Sequence, residues 1–170
     1  MSKARQEVVM RPIGVVRSPN RTPAGTPIQP AYAERTDGEV VVKEGFEPAL
    51  ADIEGFERIW LIYRLDRAGP FKSSVVPYRD TQERGLFATR APSRPNPIGL
   101  SVVRLLGREG NVLRVRGLDI LDSTPLLDIK PYVPEFDAFP DSKAGWLEEC
   151  RQDRRVADDR FHGGGAPEDS

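Results

Sequence analysis

The chain has 170 residues, of which 30% are charged and 38% hydrophobic, with a formal net charge of −1. That length suits one domain with a core of its own, and the near-neutral balance excludes a polycation, so any nucleic-acid contact needs a local patch. One cysteine (Cys150) and one histidine (His162) exclude an intrachain disulfide and a cysteine-rich zinc site, and argue against a Ser–His–Asp triad.

The first element expected is a strand over 8–16, "VVMRPIGVV". The four prolines of 18–31, "SPNRTPAGTPIQPA", make that stretch a long loop. "EVVVK" (39–43) predicts a strand. "EPALADIEGF" (47–56) has an acidic first turn and one apolar side, and predicts a short helix ending near Gly55. "RIWLIYRL" (58–65) is β-branched and aromatic, and reads as a buried strand. Strands follow at 84–89, 98–110 and 111–121, with "EGN" as a hairpin signal between the last two. Val112, Arg114 and Arg116 alternate with Leu113 and Val115, which sets a wet face against a dry one. A short helix is expected over 144–152, and a loose, charged tail from about 153. No run reaches the roughly 18 apolar residues of a membrane span, and "MSKARQEVV" lacks the apolar core of a signal peptide, so the expected location is a reducing cytoplasm.

Short strands separated by turns predict a mainly β protein: a single compact β-barrel, antiparallel or mixed, with a few short helices, over residues 1–150. Residues 151–170 are its glycine-rich tail. No G-x-G-x-x-G opens a helix after a strand, so a Rossmann cofactor site has no support.

Three stretches can carry chemistry. In "GLFATRAPSRPNPIGLS" (85–101), Pro92, Pro95 and Pro97 stiffen a loop before any ligand arrives. Arg90 and Arg94 offer planar donor forks for a carboxylate or phosphate, Asn96 offers a donor and an acceptor, and Gly99 permits close backbone approach. "LDILDSTPLLDIKPY" (118–132) sets Asp119, Asp122, Ser123, Thr124, Asp128, Lys130 and Tyr132 among leucines and isoleucines. On a strand Asp128 and Lys130 share a face. In "TPIQP" (26–30), Gln29 has the amide pair that reads a heterocycle edge. Arg17, Arg21, Lys72, Arg79 and Arg84 are scattered cations suited to an RNA backbone.

The second and first of these stretches together, with "IGVVRSP" (13–19) and "FERIWLIYRL" (56–65), resemble the TrmO/TsaA-like family (also called YaeB or VirR) of S-adenosylmethionine-dependent tRNA methyltransferases. The resemblance spans roughly residues 8–140. It implies a TsaA-like barrel acting as a cytoplasmic homodimer on tRNA, without a metal and without a membrane. It implies methylation of the exocyclic 6-amino group of threonylcarbamoyl-adenosine beside the anticodon. By matching motif positions, the cofactor contacts are Pro27, Ile28, Gln29, Asp66, Arg67, Arg90, Leu100, Ser123, Thr124, Pro125 and Leu126. Asp128 (with Asp122 second) is the expected base, Lys130 the oxyanion partner and Tyr132 a stacking platform. Arg94 and Asn96 are the expected substrate contacts. Asp66 stands where some members have His, and Ser123 where they have Gly, which argues against a strained backbone there. Bacterial members also carry a further C-terminal domain, so the resemblance leaves the mode of tRNA docking open. The other readings are a different nucleoside or small-molecule acceptor, and a non-catalytic S-adenosylmethionine-binding dimeric module.

Overall fold

Strands that bury every second residue dominate the computed structural model, which describes residues 7–150 and 152–162. They are β1 (Gly14–Arg17), β2 (Asp37–Val42), β3 (Arg58–Arg64), β4 (Ser74–Val75), β5 (Arg84–Gly85), β6 (Ile98–Glu109), β7 (Val112–Arg116) and β8 (Thr124–Pro131). Six of them form a closed barrel in the order β1-β2-β7-β6-β3-β8, with β8 pairing back onto β1. Every pairing is antiparallel. Closure removes the free edges that an open sheet this small would expose. The expected mainly β barrel is thus the observed one.

Alternation places the core. On β3, Ile59, Leu61 and Tyr63 turn inward while Arg58 and Arg64 stay exposed. On β7, Leu113 and Val115 are fully buried and Arg114 and Arg116 face water, as their spacing predicts. Val16, Val40, Val42, Val103 and Leu126 complete the interior. Each such side chain contributes roughly 1.5–3 kcal/mol relative to exposure. The hairpin at Gly110 and Asn111 joins β6 to β7, and Gly110 takes a φ of 58° that the turn requires. Arg108 pins this end: its guanidinium donates to the carbonyls of Leu50 and Gly110 at 3.1 and 2.8 Å.

Several expected elements are shorter or different. β1 starts at Gly14 rather than at residue 8; Val8, Val9 and Met10 are exposed, and Pro12 removes a ladder donor. The helix expected over 47–56 is two 3-10 segments, Glu44–Leu50 and Ile53–Gly55. Pro48 lies inside the first and Asp52, at φ 67°, separates the two; Leu50 alone is buried, too little apolar surface to hold an α-helix. The strand expected over 84–89 is two residues followed by a 3-10 turn at Leu86–Ala88. β7 stops at Arg116 because Gly117, at φ 98°, turns the chain, although Leu118 and Ile120 still reach the core. The helix expected over 144–152 is a 3-10 segment, Gly145–Glu149.

A second, smaller core lies beside the barrel. Val75, Leu86, Ala91 and Phe161 are buried together, with Tyr78 packed against them edge-on to Phe161 at 5.0 Å between ring centroids. This cap stands on the β4–β5 pair and on residues 152–162. A loose tail is the sequence expectation from 153. Here Val156 bridges Pro27, His162 bridges Ala68, and Phe161 is 4% exposed. The rest of the expected tail, Arg151 and 163–170, lies outside the described residues.

Candidate functional site

Where the barrel meets the cap, a pocket of about 360 Å³ opens. Four stretches line it: the 23–29 loop, the chain leaving β3 at 65–68, the proline-rich loop entering β6, and the 119–124 turn. Each is loop held by strand on at least one side, which is how a rigid scaffold presents a site.

The floor is built by one glycine. Gly99 pairs with Tyr63 across β6 and β3. A Cβ at residue 99 would lie 2.1 Å from the Tyr63 ring, so only glycine lets the ring lie over the strand. Tyr63 then donates to Ser101 Oγ at 2.9 Å, and Ser101 donates to Asp119 Oδ1 at 2.6 Å. Burial pushes the Asp119 carboxyl up to about 6, against the opposing pull of the Ser101 hydrogen bond and the Arg90 charge. Burial, and then the Asp119 charge, push the Tyr63 phenol up as well, so Tyr63 stays a neutral donor. Asp119 makes no ion pair within 4 Å among the described residues.

A side-chain bridge crosses the rim. Arg90 donates to Gln29 Oε1 at 2.7 Å, tying the proline-rich loop to the 23–29 loop. Arg94 turns back on its own loop, donating to the carbonyls of Thr89 and Ala91 at 3.0 and 3.2 Å while its guanidinium lies 5.5 Å from the Phe87 ring centroid. The stiffness expected of this loop therefore comes from Arg94 as well as from proline.

The 122–124 turn corrects a sequence expectation. Ser123 takes φ 63°, the left-handed region that serine was expected to avoid. The turn is held there by its partners: Asp122 N–H and Ser123 N–H donate to the carbonyls of Asn20 and Val16, each at 2.8 Å. Ser18 N–H donates to Asp122 Oδ1 at 2.9 Å, and Arg67 donates to the Asp122 carbonyl at 2.7 Å and to Thr124 Oγ1 at 3.0 Å. The Ser18 N–H holds the Asp122 carboxyl below its usual range, with smaller help from Ser123 and Arg21.

Of the expected cofactor residues, Pro27, Ile28, Gln29, Asp66, Arg67, Arg90, Leu100 and Thr124 line this pocket. Ser123 and Pro125 flank it in sequence, and Leu126 is fully buried in the barrel core. Arg94 lines the pocket; Asn96 does not, and its carbonyl accepts from Ile98 N–H. Asp128, Lys130 and Tyr132 are not brought to the pocket. They lie farther along and beyond β8, where Asp128 pairs with Lys130 at 3.1 Å beside Trp60, itself 5.9 Å from the Tyr132 ring. The register shift at Ile62 and Tyr63 gives the reason: Leu126, not Asp128, carries the inward phase of β8 at the pocket end. Among the scattered cations, Arg17, Arg21 and Arg84 are paired with Glu39, Asp122 and Asp80.

Sequence reasoning named Asp119 only within the 118–132 stretch and gave no role to Tyr63, Tyr78 or His162; all four line the pocket. Asp119 did leave a signal, a lone carboxylate between two core residues, Leu118 and Ile120. His162 left none. It reaches the pocket through the fold, its Nδ1 3.2 Å from the Arg67 carbonyl, and burial lowers its imidazole below the ordinary range. Among the described residues no group of His, Cys, Asp and Glu is arranged to hold a metal ion, and no helix is long and apolar enough to cross a membrane.

The family model for the tRNA-methyltransferase O N-terminal domain matches residues 15–138. A Pyrococcus abyssi protein named "Probable S-adenosyl-L-methionine-binding protein" is 54% identical over 83% of this chain and 77% of its own length. The tRNA (adenine(37)-N6)-methyltransferase of Escherichia coli is 33% identical over 80% of this chain and 62% of its own length. A crystal structure of TrmO from Pseudomonas aeruginosa superposes with a TM-score of 0.70 at 38% identity, covering 82% of this chain and 62% of that one. The chain thus spans less than two thirds of the bacterial proteins it matches.

Proposed function

We propose that this chain, which belongs to the tRNA-methyltransferase O N-terminal domain family, methylates the exocyclic 6-amino group of threonylcarbamoyl-adenosine beside a tRNA anticodon, using S-adenosylmethionine. The observation that carries this reading is the pocket: a rim of amide and guanidinium groups over a half-buried carboxylate that makes no close ion pair among the described residues. S-adenosylmethionine brings an activated methyl group on a positively charged sulfonium. A half-buried negative charge fits such a ligand, because each offsets the cost of desolvating the other.

The chain's own residues divide the work. The 27–29 loop, Leu100 and Thr124 would hold the cofactor, and the Arg90–Gln29 bridge fixes the rim. Arg67 acts at one remove, by holding the 122–124 turn. Asp119, negatively charged at pH 7, supplies the counter-charge, and the Tyr63–Ser101 hydroxyl pair keeps it oriented. Positioning donor and acceptor in line contributes several kcal/mol to such a transfer. Asp128 and Lys130 sit on the outside of the barrel and pair with each other. Asp122 is engaged by Ser18 and Arg21, so within one copy of the chain none of the three lines the pocket, and the proton released from the 6-amino nitrogen on methyl transfer passes to solvent. Ile98 and Leu100, 39% and 52% exposed, offer an apolar rim for a second copy in a cytoplasmic homodimer.

Methyl transfer from labelled cofactor to total tRNA tests the reading. Incorporation only into tRNA that carries the threonylcarbamoyl group is the expected outcome. Equal incorporation into tRNA lacking it, or none while the cofactor binds, overturns it.

A further inference from the structure

Across the Arg90–Gln29 bridge lies a second cleft, of about 570 Å³, which shares Ile28, Gln29, Tyr78, Thr89 and Arg90 with the first and is otherwise unused by the reading above. Tyr32, Tyr78, Phe87, Trp146 and Phe161 line it, together with Arg79 and Arg90, and among the described residues no carboxylate does. Trp146 and Phe161 in its wall come from beyond the residue-138 limit of the family match.

The cleft is built rather than accidental. Trp146 donates its Nε1–H to the Ala88 carbonyl at 2.8 Å, which fixes the indole, and Arg84 lies 5.5 Å from its ring centroid. Arg79 donates to the Tyr32 hydroxyl at 3.1 Å and to the Gln152 carbonyl at 3.2 Å, so that its guanidinium is oriented at the wall. Among the described residues neither Arg79 nor Arg90 has a carboxylate within 4 Å, whereas Arg84 and Arg155 do. Phe87 is 79% exposed at the edge. Oriented aromatic rings and cations without a close ion pair are what an unstacked base and its phosphate require. An acidic peptide would use the arginines but not five aromatic rings.

We propose that this cleft binds an unstacked nucleobase of single-stranded RNA adjoining the acceptor nucleotide. The choice of RNA rests on the methyl-transfer reading; the aromatic and cationic walls stand without it.

Fluorescence of the full chain tests the proposal without cofactor. Trp60 and Trp146 are its two tryptophans, so Trp60→Phe leaves Trp146 as reporter. The probe is an unmodified single-stranded RNA of about ten nucleotides, and the control is an abasic strand of the same length. The RNA is expected to quench Trp146 and to bind at least about tenfold more tightly than the abasic strand. Tyr32→Ala and Arg79→Ala should each weaken RNA binding about 5- to 50-fold and leave the cofactor titration unchanged. Photocrosslinking of a thiouridine-bearing RNA to the unsubstituted protein should map to Phe87 or Trp146, which guards against a misfolded variant. Equal affinity for the abasic strand, binding without quenching, tighter binding of an acidic peptide, or a crosslink elsewhere overturns the proposal. RNA binding that persists when methyl transfer fails sinks the methyl-transfer reading and leaves the cleft; methyl transfer without quenching does the reverse.

Discussion

In the barrel, Leu61, Val103 and Leu113 are fully buried on strands whose neighbours are set by register. In the cap, Val75, Leu86, Ala91 and Phe161 come from four separate stretches of short strand, turn and loop. The barrel interior is large, continuous and closed by ladder hydrogen bonds. The cap has a handful of apolar side chains and is fastened by isolated bridges and side-chain bonds such as Tyr78 to the Asp158 carbonyl at 3.0 Å. Few buried contacts and lone hydrogen bonds mark a part that opens on its own below the global unfolding free energy. Both clefts lie against this weaker part. The rigid barrel supplies the floor, and the cap supplies walls that can yield to a ligand.

The largest expected effect breaks the barrel. Leu61→Ala should cost about 3–4 kcal/mol, seen as a shift of the urea midpoint with an unchanged slope. A loss under about 1 kcal/mol would mean that the interior collapses around the gap, which a closed ladder should not allow.

The next probes the seam between the two regions. Asp119 has an ordinary value of 3.8 and is raised to about 6 in the fold. Between those values the folded chain binds the proton and the unfolded chain has lost it. Stability from this group is therefore fullest below about pH 4, falls as pH rises towards 6, and is flat above, a change on the order of 3 kcal/mol. Asp119→Asn should remove that slope from melting curves recorded between pH 4 and 7. It should also weaken cofactor binding at least about tenfold by calorimetry, because the counter-charge is gone.

Phe161→Ala separates the regions directly. Loss of a buried Phe typically costs about 3–5 kcal/mol. Here the global loss should be nearer 1–2, because the cap opens before the barrel unfolds. Amide exchange over 152–162 should quicken while β3 and β6 stay protected. A global loss equal to that of Leu61→Ala would show barrel and cap to be one cooperative unit. The smallest effect is a gain: Ser123→Gly should stabilise the chain by about 1 kcal/mol, since glycine meets no Cβ penalty at φ 63°. Chemical denaturation would detect it.

The same division explains what could be read from residues alone. Period-two alternation is a local signal, so β2, β3, β6 and β7 were legible to within a few residues. The 3-10 segments were not, because an acidic turn and an apolar side also suit a helix, and Pro48 counts against it only once little burial is seen to compensate. In the site, Arg90, Gln29 and the 122–124 turn were legible as chemistry: forks, an amide and a capping turn. Tyr63 looked like core because it is core; its hydroxyl matters only because Gly99 faces it. Residues 152–162 were unreadable because Phe161 and His162 meet their partners across the whole chain. Asp128 was misplaced by an irregularity in β8 that nothing in "LLDIK" announces.

Arg90 touches one cleft on each side through a single side chain and its amide partner. Only its Nη1 is spent on Gln29, so a guest that pulled that nitrogen away would free the amide on the opposite side. Were occupancy of one chamber to alter that bridge, each guest would scale the other's affinity by one and the same factor, whatever the order in which they arrive.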